Sequence, residues 1–309
     1  MIPRENKIIK KSYTQIDEAK YLIPLSRRHP LFYLEYCKIV RKENDIRILT
    51  QKYEEEMSFS LPVGNIGALM IGPGCSITTE AARIITARGC LLSFTGGGFV
   101  PLFLISSQHR SPLSRLRQYR ISLDENCRLL CGKILFERRK KIIEKFKEFD
   151  LPDFPDPSIY TSIEQLNLSE AAWAKRSYRK LAKEFNIPWT NKESEDKNKK
   201  NPITFLNFLS YSVADIAIYH LGYDPNIGIL HGRTKGGGLA YDLADIIKPI
   251  VALVPSFVAR DKGYSLSKVK SNFISDIIRY DLLDYLIKTL EILFNKKEEK
   301  EVNDHVSNI

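Results

Sequence analysis

The texture of this chain changes once, between residues 105 and 112, and that change restricts its fold more than any other feature. Ahead of it lie short β-branched and aromatic runs between polar turns. They are LFYLEYCKIV from Leu31, the alternating DIRILT from Asp45, and MSFSLPV from Met57 after the charged KYEEE. Runs of this length and composition predict strands. GALMIGPGCSITTEAARIITARGCLLSF then predicts strand, tight turn, helix and strand, with Thr78 or Thr79 capping the helix and Gly89 ending it. Gly96-Gly97-Gly98 joins LLSF to FVPLFLI as a hairpin turn. Past SSQHRSP the period lengthens. Leu116, Tyr119, Leu123, Cys127, Leu130 and Ile134 recur at three- and four-residue steps, predicting an inward helix face with arginines opposite. DLPDFPDPSIY (150–160) reads as a loop, SIEQLNLSEAAWAKRSYRKLAKEF as a helix capped by Ser162 or Ser169, and NKESEDKNKKNP (191–202) as a mobile polar loop. ITFLNFLSYSVADIAIYHLGY predicts a central buried helix, and SLSKVKSNFISDIIRYDLLDYLIKTLEILF one or two more. After a basic lead-in over residues 1–30, the expected class is α+β: a β-sandwich-like domain at 1–109, then a larger all-α domain at 110–309.

Charge says what such a chain meets. Its 47 Lys and Arg against 37 Asp and Glu leave a net +10, which favours a polyanionic partner, nucleic acid first and an anionic membrane surface second. Between Arg110 and Glu148 stand twelve basic residues and five acidic ones. A cluster of that kind can follow a phosphate backbone, although any single lysine in it also reads as part of a solvated helix face. No uncharged apolar stretch approaches the roughly 20 residues of a membrane helix. MIPRENKIIKKSYT has no apolar core and does not read as a secretion signal, and the cysteines point to a cytoplasmic protein. The five cysteines (Cys37, Cys75, Cys90, Cys127, Cys131) are odd in number and spread out, as reduced thiols are.

Candidate chemistry concentrates in NIGILHGRTKGGGLAYDLADI, residues 226–246. His231 ends an apolar run. A loop with Arg233, Lys235 and Gly236 to Gly238 follows, then a helix start carrying Asp242 and Asp245, three apart and so on one face. A histidine, two carboxylates and a cationic loop suit a divalent metal held beside a phosphate. Oxygen-ligand sites want a further acid, and Glu170, followed by Ala171 and Ala172, is the best placed. From spacing alone each acid also reads as an early-turn helix acid favoured by the dipole, and His231 as a satisfied core histidine. Carboxylates with one imidazole suit Mn²⁺ or Mg²⁺. Arg233 and Lys235 would take non-bridging phosphate oxygens. Gly72-Pro-Gly74 is no dinucleotide turn, because Ile77 stands where the third glycine is needed. No Ser-His-Asp order, active cysteine or Walker loop competes.

Three separated blocks, in order, resemble the CRISPR-associated integrase family of spacer acquisition, Cas-one. LHGRTKGGGLAYDLADIIKP looks like its second catalytic block, and SEAAWAKRSYRKLAKEF like its first, with Arg176-Ser-Tyr178 after the glutamate. YLEYCKIV and LPVGNIGALMIGPGCSITTEAARIITARGCLLSFTGGG are similar to its β-domain, and the match there and in HGRTKGGG points to the I-F-type branch. Ala171 stands where many members carry glycine, which keeps a small side chain. The resemblance implies a metal-dependent endonuclease and integrase that inserts captured DNA into a repeat array, with the all-α domain catalytic. It implies Glu170, His231 and Asp245 as metal ligands, with Asp242 as a neighbouring catalytic acid, and Tyr36 as an aromatic wedge at a DNA end. DNA contacts would come from Arg110, Arg115, Arg117, Arg176, Arg233 and Lys235. Implied partners are double-stranded and branched DNA, a second copy through the β-domain, and a Cas-two dimer, here as a Cas-two/Cas-three fusion.

Overall fold

Strand β5 (Ile66–Ile71, IGALMI) is buried at every position, and it explains how the two halves of the chain meet. Alternate side chains of a strand point to opposite faces. Leu69 and Ile71 pack with Ile39, Ile46, Ile48 and Leu92 in an N-terminal core. Ala68 and Met70 instead join Leu31 and Leu91 in the core built by the helices. A sheet covered on both faces needs such an unbroken apolar run.

The computed structural model describes residues 28–43, 45–52, 55–95, 101–105, 112–146, 150–187, 201–231 and 236–294. The first sheet runs β1 (His29–Leu34), β5, β7 (Leu91–Thr95) and β8 (Pro101–Ile105), parallel twice and then antiparallel. The second runs β4 (Glu55–Ser60), β3 (Asp45–Lys52), β2 (Lys38–Lys42) and β6 (Ser76–Ile77), with β2 and β6 parallel. Both sheets share the N-terminal core with helix α1 (Thr79–Ala87). Of the two threonines, Thr78 is the cap, accepting from the Ala81 amide, and Gly89 follows the helix at φ 71°.

Helices α2 (Pro112–Leu123), α3 (Glu125–Lys145), α4 (Ile163–Glu184), α5 (Pro202–Leu221), α6 (Gly238–Lys248), α7 (Val254–Asp261), α8 (Leu266–Arg279) and α9 (Leu282–Leu293) make the second half. The α+β order expected from the sequence is therefore observed. Helix α5 is the buried centre, and α6, α7, α8 and α9 pack around it. Ser162, not Ser169, caps α4. A π-helical turn, Pro249–Leu253, carries α6 into α7 without a break. Gly96 to Gly98, the boundary expected at 109/110, and the loop at 191–200 lie outside the described residues. Among the described residues no helix is long and apolar enough to cross a membrane.

The stripe expected on the first helices is not their inward face. Leu116, Leu123 and Leu130 are exposed, the last two at 69% and 60%. Two physical causes act. Asp124 caps a new helix by accepting from the Cys127 amide, which breaks the run in two and resets its phase. In α3 the buried face is then Cys131, Leu135, Phe136, Arg139 and Ile142. In α2 the buried residues are Gln118 and Ser122, and Gln118 is drawn in by the bare backbone groups of a loop beneath it.

Candidate active site

That loop, from Tyr223 to His231, has no secondary structure of its own, so its backbone groups need partners elsewhere. Side chains from four helices supply them. Gln118 of α2 donates to the carbonyls of Asp224 (2.7 Å) and Ile227 (2.9 Å) and accepts from the Asp224 amide (2.8 Å). Arg128 of α3 donates to the Ile229 carbonyl (2.8 Å), and Asn167 of α4 to that of Leu230 (3.1 Å). Asp242 of α6 accepts from the amides of Ile229, Leu230 and His231.

The loop also lies directly on the start of α6. A Cβ on Gly228 would sit 2.7 Å from the His231 carbonyl oxygen and 2.8 Å from the Gly238 carbonyl carbon. Both neighbours are backbone, so neither yields cheaply. Gly228→Ala is expected to destabilise the fold by about 1–3 kcal/mol, as overpacking does. Urea unfolding measures it, and a wild-type midpoint would show that the contact is not constrained.

This scaffold fixes His231. Its Nδ1 lies 2.8 Å from Asp242 Oδ1, and its Nε2 points towards Asp245 Oδ2 at 3.7 Å. With the Asp242 carboxylate accepting from Nδ1–H, a neutral ring presents the Nε2 lone pair to the site. Burial lowers the imidazole pKa, but the Asp242 hydrogen bond and the charges of Asp242, Asp245 and Glu170 together raise it above the ordinary value. Asp242 and Asp245 share a face of α6, as expected, yet they differ in use. Asp242 is 1% exposed and is taken up by the loop. Asp245 accepts from Lys248 Nζ (2.6 Å), which also donates to the Tyr211 hydroxyl (2.9 Å). Burial acts to raise the Asp245 pKa, but Lys248, Arg139 and His231 outweigh it and hold the carboxyl below its usual range.

Glu170 lies two turns inside α4, beyond the first-turn reach of the helix dipole. Its partner is Arg139. That guanidinium is buried, 4.9 Å from the Trp173 ring centroid and 5.2 Å from that of Phe154. The charge of Glu170 acts on His231, and that of Arg139 on Asp245. Glu170, His231 and Asp245, distant in sequence, thus share one electrostatic neighbourhood.

Among the described residues, no three His, Cys, Asp or Glu side chains stand close enough together to enclose a metal ion. The reason is visible: Glu170 and Asp245 are turned onto Arg139 and Lys248. The donor chemistry nevertheless fits a divalent ion. One carboxylate, Asp245, faces an imidazole whose other nitrogen is held by a second, Asp242, the arrangement that orients metal-binding histidines, and the charge of Glu170 reaches the same ring.

The remaining candidates are dispersed. Tyr36 is 72% exposed on the turn after β1. Arg115 is exposed and Arg117 half-buried on α2. Arg176 is exposed on α4, six residues past Glu170 and so on another face. Arg110, Arg233 and Lys235 lie outside the described residues. Sequence reasoning missed Arg139, Lys248, Tyr211, and the loop anchors Gln118, Arg128 and Asn167. Lys248 carried a signal, being one turn past Asp245. Arg139 carried one too, since Leu135, Arg139 and Ile142 share a helical face. Much of the basic cluster is also used internally: Arg138 binds Thr289 and Tyr285 instead of facing outward.

The family described as CRISPR associated protein Cas1 matches residues 32–149 and 135–262. A CRISPR-associated endonuclease Cas1 from Pseudomonas aeruginosa (strain UCBPP-PA14) is 25% identical over 303 residues, covering 86% of this chain and 93% of that one. A Cas1 protein from Thermotoga maritima shares the fold at TM-score 0.68 and 15% identity, over 86% of this chain and 98% of that one. The crystal structure of a TtCas1–DNA complex matches at TM-score 0.60 and 23% identity, over 86% and 96%.

Proposed function

The chain belongs to the Cas1 family of CRISPR-associated proteins, and from that premise we propose that it is a metal-dependent DNA endonuclease and integrase. In this reading it inserts captured DNA fragments into a repeat array. The 3′-hydroxyl of a fragment attacks a phosphodiester at the repeat boundary in line and displaces the 3′-oxygen of the broken strand.

The observation that carries the reading is the aim of His231. Asp242 holds Nδ1, and Nε2 is left facing Asp245 with Glu170 in electrostatic reach. Glu170, His231 and Asp245 would hold Mg²⁺ or Mn²⁺. Such an ion, once bound, stabilises negative charge developing on a phosphoryl oxygen. The chain's own residues do the rest. Asp242 sets the tautomer and orientation of His231. Lys248 and Arg139 hold the Asp245 carboxyl below its usual range, and Arg139 pairs with Glu170. Arg115 and Arg117 on α2, Arg176 on α4, and Arg110, Arg233 and Lys235 are assigned to DNA backbones, and Tyr36 to a DNA end. Partners in the same reading are double-stranded and branched DNA, a second copy of the chain, and Cas2. The form of Cas2 as a Cas2/Cas3 fusion is carried by the sequence resemblance alone.

The test is a branched DNA substrate incubated with the chain in Mn²⁺, with and without a chelator. Strand rearrangement that the chelator abolishes is the expected result. A chain that shifts the DNA but never rearranges it would replace this reading with a non-catalytic DNA-binding subunit, its carboxylates serving Arg139 and Lys248.

A further inference from the structure

Two cysteines that have no part in this chemistry face one another beside Tyr36. β2 and β6 pair in parallel with Lys38 opposite Ser76 and Ile39 opposite Ile77. Cys37 and Cys75 occupy the preceding position of that register, and the Ser76 amide donates to the Cys37 carbonyl at 3.0 Å. Neighbouring strands run about 4.8 Å apart, inside the roughly 4.4–6.8 Å that a disulfide spans between Cα atoms. The sulfurs already lie 3.5 Å apart. The two segments are laced together on either side: the Gly72 amide donates to the Leu34 carbonyl (2.8 Å) and the Tyr36 amide to that of Pro73 (3.1 Å). Tyr36 itself sits at φ 50°, a strained value for a residue with a side chain. Its ring lies where a Cβ on Gly74 would be, 2.4 Å from Cδ1.

We propose that Cys37 and Cys75 are a modification site: they form a reversible intramolecular disulfide that clamps the turn presenting Tyr36. The oxidant is a small-molecule disulfide. A surface cavity of about 470 Å³ lined by Tyr36, Cys37, Gly74 and Ser76 opens beside the pair. Cys75, the less buried residue of the two, attacks as thiolate. One sulfur of the small disulfide joins Cys75 and the other leaves as a thiol. Cys37 then attacks the Cys75 sulfur and expels the second small thiol. The protein gives up two electrons and two thiol protons, and the small disulfide becomes two thiols. Burial, and then the contact with Cys75, push the Cys37 thiol up, and reversal takes two electrons from a reductant. A bond here ties Tyr36, the most exposed large apolar side chain among the described residues, to a fixed backbone.

The test equilibrates the whole chain in oxidised and reduced glutathione for long times, then blocks free thiols and maps peptides without reduction. Expected is a Cys37–Cys75 cross-linked peptide that is absent in Cys75→Ser, with buried Cys90 unmodified. Amide exchange of residues 34–37 and 72–76 should slow by about tenfold or more in the oxidised chain. Its thermal midpoint should rise by about 5 °C or more. Cysteines 37 and 75 that stay free or carry only glutathione would overturn the proposal, as would a cross-link that leaves exchange in the turn unchanged.

Discussion

His231→Ala and Glu170→Gln should each lose DNA strand rearrangement by about 10²-fold or more while binding DNA nearly as well as the parent chain. The size follows from what removal of one group aimed at developing charge costs in other enzymes. Binding persists because exposed basic residues such as Arg115 and Arg176 are untouched, and backbone contacts of that kind dominate affinity. Glutamine is the informative replacement at Glu170. Alanine would strand the buried Arg139 guanidinium and cost about 3–5 kcal/mol, so lost activity would only report lost folding. Glutamine keeps an acceptor for Arg139 and removes the charge. Activity on branched DNA, a gel-shift titration and a thermal melt, run on the same samples, separate the effects. Parental rearrangement by either variant would remove these residues from the site.

Asp242→Ala should be among the most destabilising changes in the helical half. It orphans the amides of Ile229, Leu230 and His231 and frees the imidazole at once. Each buried unpaired group costs about 1–3 kcal/mol, so a loss of about 3 kcal/mol or more is expected. Asp242→Asn is no remedy. Both carboxylate oxygens accept from N–H groups, so an amide NH₂ meets donors whichever way it is turned. Denaturant unfolding should place both variants well below the parent. In any folded fraction, activity should fall about 10–100-fold, the usual loss when the carboxylate behind a ligating histidine is removed. A parental unfolding midpoint for Asp242→Ala would show that the loop is held by Gln118, Arg128 and Asn167 alone.

The order of elements was legible because it rests on local rules. β-branched runs, the Thr78 and Ser162 caps and the apolar length of α5 each act within a few residues. The chemical types at the site were legible for a related reason: His231, Asp242 and Asp245 lie within one short stretch, and the two aspartates share a helical face by geometry alone. The phase of α2 and α3 was not legible. An amphipathic pattern reports which residues are apolar, whereas burial depends on what lies opposite. Opposite α2 lies the Tyr223–His231 loop, whose bare carbonyls draw in Gln118 and leave Leu116 and Leu123 outside.

The amino-acid sequence alone therefore determined the succession of strands and helices, the family resemblance and the residue types gathered at the candidate site, since these depend on neighbours along the chain. Only the tertiary structure decided that Asp242 serves the loop while Asp245 faces His231, that Arg139 turns inward to Glu170, and that Cys37 meets Cys75. Those outcomes are set by hydrogen bonds and charges between segments tens of residues apart, and no local pattern records which buried group will find which partner.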